Sequence, residues 1–229
     1  MALSSKTTVT SVEDFNASVV RPTKTPVFRS VSKMLDNSSS PSSARSERRL
    51  SFGDALLDSV FNGGVYTGGV AEICGESASG KTQLCLQLCL SSLSLPSTSM
   101  TSPLSSSSES SIEPCVIFIA TEDPFPSKRL QQLVQFSPIV KSSSSSFNSS
   151  SSGWTNNVLV DHVGEFEQLL HALRHKIPAL MASRDVRLVV VDSVAAIFRC
   201  YENDRIKERW QHLRVLGKEL HQLSGRCAE

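Results

Sequence analysis

Gly75-Glu76-Ser77-Ala78-Ser79-Gly80-Lys81-Thr82 fits the spacing G-x-x-x-x-G-K-[ST], the Walker A pattern. The chemistry it suits is anion binding. Gly75 and Gly80 allow a tight turn in which successive N–H groups point into one concavity, the shape that cradles a triphosphate. Lys81 sets a cation against the β- and γ-phosphates, and the Thr82 hydroxyl completes the shell of a Mg²⁺ ion. Residues 75–82 are therefore expected to bind a nucleoside triphosphate with magnesium. A second candidate is Leu188-Val189-Val190-Val191-Asp192, a hydrophobic run closed by a carboxylate, the Walker B form. Such a strand buries itself and leaves Asp192 at the carboxyl edge of a sheet, where it can hold Mg²⁺ together with Thr82. A third is Thr121-Glu122-Asp123, which follows another apolar run. A carboxylate there could act as general base on the water attacking the γ-phosphate. Glu122 is the candidate and Asp123 its local competitor; a solvated acidic turn before Pro124 is the alternative.

These residues need a scaffold, and the hydrophobic pattern supplies one. Val70 to Cys74 reads as a strand entering the loop, and Lys81 to Leu90 as a helix leaving it, with its positive dipole end toward the anion. Cys115 to Ala120 is a continuous apolar run, the mark of a strand covered on both faces. Lys128 to Gln135 reads as a helix, Val158 to Val163 as a strand, and Glu165 to Lys176 as an amphipathic helix ended by Pro178. Arg187 to Asp192 is a buried strand, and Asp204 to Leu223 a long charged amphipathic helix. Upstream, Phe52, Leu56, Leu57 and Val60 fall on one face of a short helix stopped by Asn62-Gly63-Gly64. Strands alternating with helices predict a parallel sheet and an α/β fold.

Around that core lie segments that cannot bury enough apolar surface to offset their ordering entropy. Residues 1–49 are read as a disordered tail and linker, and 50–229 as the nucleotide-binding core. Low-complexity insertions are expected at 91–111 and 141–153, both rich in serine. The N-terminal stretch could instead be a transit peptide, but Glu13 and Asp14 are acids that such peptides avoid. With 23 Lys+Arg against 22 Asp+Glu, the net charge of +1 offers no bulk attraction for nucleic acid, so any basic surface is local. No apolar stretch is long enough to span a bilayer.

Six cysteines without C-x-x-C spacing read as small buried hydrophobes in a reducing compartment. His171 and His175 stand four apart on a helix, a metal-ligand spacing, but no glutamate follows the first, and a solvated face explains them. Cys85 and Cys89 share a helix face and suit packing against the sheet. Phe52-Gly53-Asp54-Ala55 has the F-x-x-A form, a short motif that can hook a neighbouring subunit. It falls inside the predicted short helix, so chance accounts for it.

The stretch Leu50 to Leu223 resembles the RecA-type recombinase family, and within it the eukaryotic recombinase paralogues of the plant type. The resemblance is carried by Leu57-Asp58-Ser59-Val60-Phe61-Asn62-Gly63-Gly64, by the run K-T-Q-L-C-L-Q-L from Lys81 to Leu88, by Thr121 to Leu130, and by Val191-Asp192-Ser193-Val194-Ala195-Ala196-Ile197-Phe198-Arg199. It implies a RecA-like P-loop NTPase core that binds ATP, with Glu122 activating water. It implies homologous-recombination repair of DNA double-strand breaks in the nucleus, in complexes with other recombinase paralogues and with the recombinase itself. It also places the start of a DNA-facing loop at Phe198 to Arg209. There Arg199, Arg205, Lys207 and Arg209 beside Tyr201 could contact single-stranded or branched DNA. Glu202, Asp204 and Glu208 interleave with them, so a solvated helix start is an equal reading.

Family members continue past the long helix with a further strand ending in Asn-Gln, whereas this sequence runs out after Leu223-Ser224. That strand lies between the Walker A and Walker B strands, so the expectation is a core incomplete at its C-terminus, with hydrolysis and DNA coupling in doubt. Two further functions compete with an ATP-dependent repair enzyme. One is a non-catalytic assembly subunit whose nucleotide only shapes an interface; the other is an organellar RecA-like ATPase.

Overall fold

The computed structural model describes residues 49–96, 112–142, 151–199 and 206–226. The segment Glu72–Lys81 forms a unit of its own and is described with the site below.

The core is an α/β sandwich around a parallel three-stranded sheet in the order β4-β3-β5. Strand β3 (Pro114–Ala120) lies in the middle, between β4 (Val158–His162) and β5 (Asp185–Asp192). All seven residues of β3 are buried. Its alternation explains why: Cys115, Ile117 and Ile119 enter one hydrophobic cluster, and Val116, Phe118 and Ala120 the other. The continuous apolar run expected of a doubly covered strand is thus found with helices on both faces. Both ladders are parallel, and Ala120 pairs with His162 on one side and Asp192 on the other. This register ends all three strands at one edge.

One face is covered by three helices. These are α2 (Lys81–Ser94), through Leu86, Cys89, Leu90 and Leu93, then α3 (Ser127–Phe136) through Leu130 and Val134, and α5 (Ser151–Asn156) through Trp154. The short α4 (Pro138–Ser142) follows α3. Helix α2 runs four residues past its expected end at Leu90. Two serines make this possible by giving their hydroxyls to carbonyls: Ser91 to that of Ser51, and Ser92, fully inside, to that of Cys89 at 3.0 Å. Buried hydroxyls so satisfied carry little penalty. Arg187 of β5 then caps the helix, donating from Nη1 to the carbonyls of Ser92 at 3.2 Å and Leu95 at 2.5 Å. A cation at a helix C-terminus satisfies orphan carbonyls and opposes the dipole.

The opposite face carries α6 (Phe166–His171), a π turn (Ala172–Lys176), α7 (Ile177–Met181), α8 (Val194–Arg199) and α9 (Ile206–Arg226). Pro178 does not end its helix as expected. The π turn precedes it, with Ile177 N–H bonded five residues back to the Ala172 carbonyl, and this wider turn accommodates a proline ring at the start of α7. Leu216 and Leu223 of α9 bury against this side, while Arg174 and Glu219 pair at 2.8 Å from the π turn to α9. Glu219's carboxyl is held below its usual range by that hydrogen bond.

A small antiparallel pair, β1 (Arg49–Leu50) with β2 (Val65–Tyr66), brackets α1 (Ala55–Val60). Asp54 caps α1 through the N–H groups of Leu56 and Leu57. Gly64 (φ +114) must be glycine, because a Cβ there would stand 2.2 Å from the Leu50 carbonyl oxygen. Phe52 lies before α1 rather than on it. It is buried, its ring 4.7 Å from that of Phe61, whereas Leu56 is exposed. The F-x-x-A phenylalanine is therefore committed to its own chain.

The expected strand Val70–Cys74 does not form. Glu72 interrupts its short apolar run, and four of its five residues are exposed. Strands are held extended by ladder partners, and this segment joins no ladder among the described residues. The 1–48 tail, most of the 91–111 tract, and residues 143–150 of the second tract lie outside the described residues.

Candidate nucleotide and magnesium site

Within its own unit, the segment Glu72–Lys81 folds as a closed loop. Ala78 (φ 62) and Gly80 (φ 94) take left-handed backbone, the geometry that turns neighbouring N–H groups to one side. Ser79 N–H bonds the Glu76 carbonyl at 3.3 Å. At Gly75 a Cβ would meet Ser79 Oγ at 2.7 Å, so the serine hydroxyl would have to turn aside. Lys81 folds its Nζ over the loop to the carbonyls of Gly75 at 3.0 Å and Glu76 at 2.6 Å. Both partners are neutral, so they do not cancel its charge. Exposed N–H groups on a left-handed turn with an ammonium at the rim form a donor set that fits phosphate oxygens.

In the other unit, Thr82 Oγ1 donates to Asp192 Oδ2 at 2.6 Å, although the two are 110 residues apart. The sheet makes this contact: β5 delivers Asp192 to the carboxyl edge, and the first turn of α2 presents Thr82 there. A hydroxyl and a carboxylate oxygen at contact distance are the hard donors that Mg²⁺ takes, with water filling the rest of its shell. Cys85, one turn along α2, is pushed up to about 11, chiefly by burial and then by the Asp192 charge. It packs rather than reacts.

Glu122 leaves the same edge. Thr121 stitches β3 to the end of β5: its N–H bonds the Asp192 carbonyl at 3.1 Å, its Oγ1 donates to the Ser193 carbonyl at 2.6 Å, and it accepts from Ser193 N–H at 2.8 Å. The next side chain, Glu122, accepts a hydrogen bond from Arg199 Nη1 at the end of α8. Asp123 is exposed beside it. The residues expected to hold magnesium and to activate water are thus collected on one edge, and one expected DNA contact, Arg199, is joined to the candidate base.

Of the remaining expected DNA contacts, Lys207 and Arg209 are exposed in the first turn of α9, while Arg205 and Tyr201 lie outside the described residues. Trp210, two-thirds exposed in the same turn, was not singled out by the sequence pattern. Its signal was an indole on a position flanked by Arg209 and Gln211, outside the apolar stripe of α9. The rings of His171 and His175 lie 5.1 Å apart, and among the described residues no group of three His, Cys, Asp or Glu side chains is placed to hold a metal ion. Cys89 and Cys115 are buried as expected, whereas Cys74 is exposed.

The family model for Rad51 matches residues 45–228. The chain is 37% identical over 182 residues to the DNA repair protein XRCC3 of Bos taurus, covering 79% of this chain and 50% of that protein. It is 31% identical over 156 residues to the XRCC3 homolog of Arabidopsis thaliana, covering 66% and 47%. It is 29% identical over 200 residues to the DNA repair protein rhp57 of Schizosaccharomyces pombe, covering 86% and 53%. The chain thus spans about half the length of the curated relatives it matches.

Proposed function

Since the chain belongs to the Rad51 family, a RecA-like family that binds nucleotide with magnesium, we propose that it binds ATP·Mg²⁺ and serves homologous-recombination repair of DNA double-strand breaks. Its place of work is the nucleus. Its partners are single-stranded or branched DNA, other recombinase paralogues and the recombinase itself. Among the described residues no helix is long and apolar enough to cross a membrane. The observation that carries the nucleotide reading is the Thr82–Asp192 hydrogen bond, which unites the two magnesium candidates at a sheet edge.

Each residue has a part. Backbone N–H groups of residues 75–80 and the Lys81 ammonium bind phosphate oxygens, Lys81 also stabilising charge that builds up during transfer. Thr82 and Asp192 hold the metal, directly and through water. Glu122 accepts a proton from the attacking water and orients it. Bound ATP supplies the phosphoanhydride whose cleavage the site promotes. Arg199, Arg205, Lys207 and Arg209 meet the phosphate backbone of DNA, and Trp210 offers a face for base stacking.

One observation favours a second reading, a non-catalytic assembly subunit: the Glu122 carboxylate is engaged by Arg199. Complementation of repair-deficient cells with Lys81→Ala and Glu122→Gln separates the two. The enzyme reading predicts that both variants lose survival after double-strand breaks. Full rescue by both sinks it, and rescue by Glu122→Gln alone selects the assembly reading.

A further inference from the structure

The Arg199–Glu122 ion pair joins two residues to which the sequence gives different tasks, and this juxtaposition has a consequence for control. Arg199 ends α8, a helix whose start is tied to the sheet edge by Ser193 Oγ, which accepts from Ala196 N–H at 3.2 Å. Phe198, next to it, is buried against Phe166 with ring centroids 5.7 Å apart. The backbone that carries Arg199 is therefore anchored, and only its side chain is at liberty to change partner. Glu122 is held equally firmly at its root by the Thr121–Ser193 stitch. The two side chains meet in water, with 61% of the Arg199 side chain and 45% of Glu122 exposed.

Exposure decides what such a pair can do. A buried pair is a fixture, because losing one partner strands the other charge. An exposed pair is weak and exchanges its partner readily. A carboxylate oxygen that already accepts from a guanidinium is occupied, so it is not available to orient a water molecule. A guanidinium also binds phosphate at least as well as carboxylate.

We propose that Arg199 is a positioning residue that restrains Glu122 until a nucleic-acid phosphate takes its place. A phosphodiester of single-stranded DNA and the Glu122 carboxylate compete for one guanidinium. Engagement of the strand frees Glu122 to accept the proton of water, and DNA binding is thereby coupled to hydrolysis by a single side chain. The inference rests on the proposed roles of Glu122 as base and of Arg199 as a DNA contact.

Competition makes a prediction that does not require turnover. Affinity of the full chain for a single-stranded oligothymidine is measured at fixed, low salt for wild type, Glu122→Gln, Arg199→Ala, their double variant and Asp123→Asn. Glu122→Gln is isosteric and should tighten binding, by up to about fivefold given the strength of exposed ion pairs. Asp123→Asn removes the same charge without touching Arg199 and should tighten it less. In the Arg199→Ala background the gain from Glu122→Gln should vanish. Equal effects of Glu122→Gln and Asp123→Asn, a gain that survives in the double variant, or no oligothymidine binding by any form each overturn the proposal.

Turnover is the second readout. Arg199→Ala should raise hydrolysis without DNA by up to about fivefold and abolish stimulation by oligothymidine. Unchanged or lower basal hydrolysis overturns the proposal. If no form hydrolyses ATP, it is the hydrolytic reading that fails, and the oligothymidine affinities still decide whether Arg199 exchanges partners.

Discussion

Gly80→Ala isolates backbone strain at the phosphate loop. Gly80 has φ +94, and an added Cβ would meet nothing within 4 Å. The methyl group therefore brings no clash, and the whole effect is the cost of a left-handed conformation for an L-residue. That cost is about 1–3 kcal/mol. The loop escapes it by turning its N–H groups out of the phosphate concavity, so the strain reappears as lost affinity. At tenfold per 1.4 kcal/mol, binding of ATP·Mg²⁺ should weaken roughly 5- to 150-fold. The assay is titration with a fluorescent ATP analogue, paired with thermal melting. Melting should barely move, because residues 75–79 are exposed and bury no core. Gly64→Ala is the counterpart: its Cβ would strike the Leu50 carbonyl, so its damage should fall on the melting temperature. Ala78→Gly should be near neutral, since relief at φ 62 is offset by about 0.4–1 kcal/mol of added freedom in the unfolded chain. Gly80→Ala binding nucleotide within twofold of wild type would refute the argument that this turn shapes the phosphate site.

Three further outcomes follow from the packing. Leu90→Ala removes a fully buried side chain between α2 and the sheet and should cost about 2–5 kcal/mol in denaturant unfolding. Arg187→Met should keep the packing of the stem but release the carbonyls at the end of α2, costing about 1–3 kcal/mol and raising amide exchange at 91–95. Cys85, with its pKa raised by burial and by Asp192 to about 11, should alkylate slowly at neutral pH, its rate climbing with pH toward 11. Because the folded value is raised, its contribution to stability is complete below about 9 and is lost as pH rises from there toward 11. Peptide mapping after alkylation should find Cys74 modified before Cys85, Cys89 or Cys115.

Much of this architecture was legible from local pattern. Cys115–Ala120 could be read as a doubly covered strand because both its faces are apolar, and each face does enter its own cluster. Thr82 and Asp192 could be paired because a parallel sheet brings strand ends to one edge. Four features escaped for physical reasons. Ser91 and Ser92 look like the start of a solvated tract, yet distant or neighbouring carbonyls satisfy their hydroxyls inside the core. Pro178 looks like a helix stop, and only a π turn, which has no sequence signature of its own, absorbs it. Val70–Cys74 has an apolar composition but no ladder, and composition without a partner does not make a strand. The Arg199–Glu122 pair spans 77 residues, so neither local motif contains the other.

The central claim is that the chain holds nucleotide through its loop and magnesium through Thr82 and Asp192. Isothermal titration of ATP into the full chain, with and without Mg²⁺, for wild type and Asp192→Ala, tests it most directly. The wild type should bind ATP, and more tightly with Mg²⁺, whereas Asp192→Ala should retain residual binding that Mg²⁺ leaves unchanged. Absence of ATP binding in the wild type, or equal tightening by Mg²⁺ in both proteins, would contradict it.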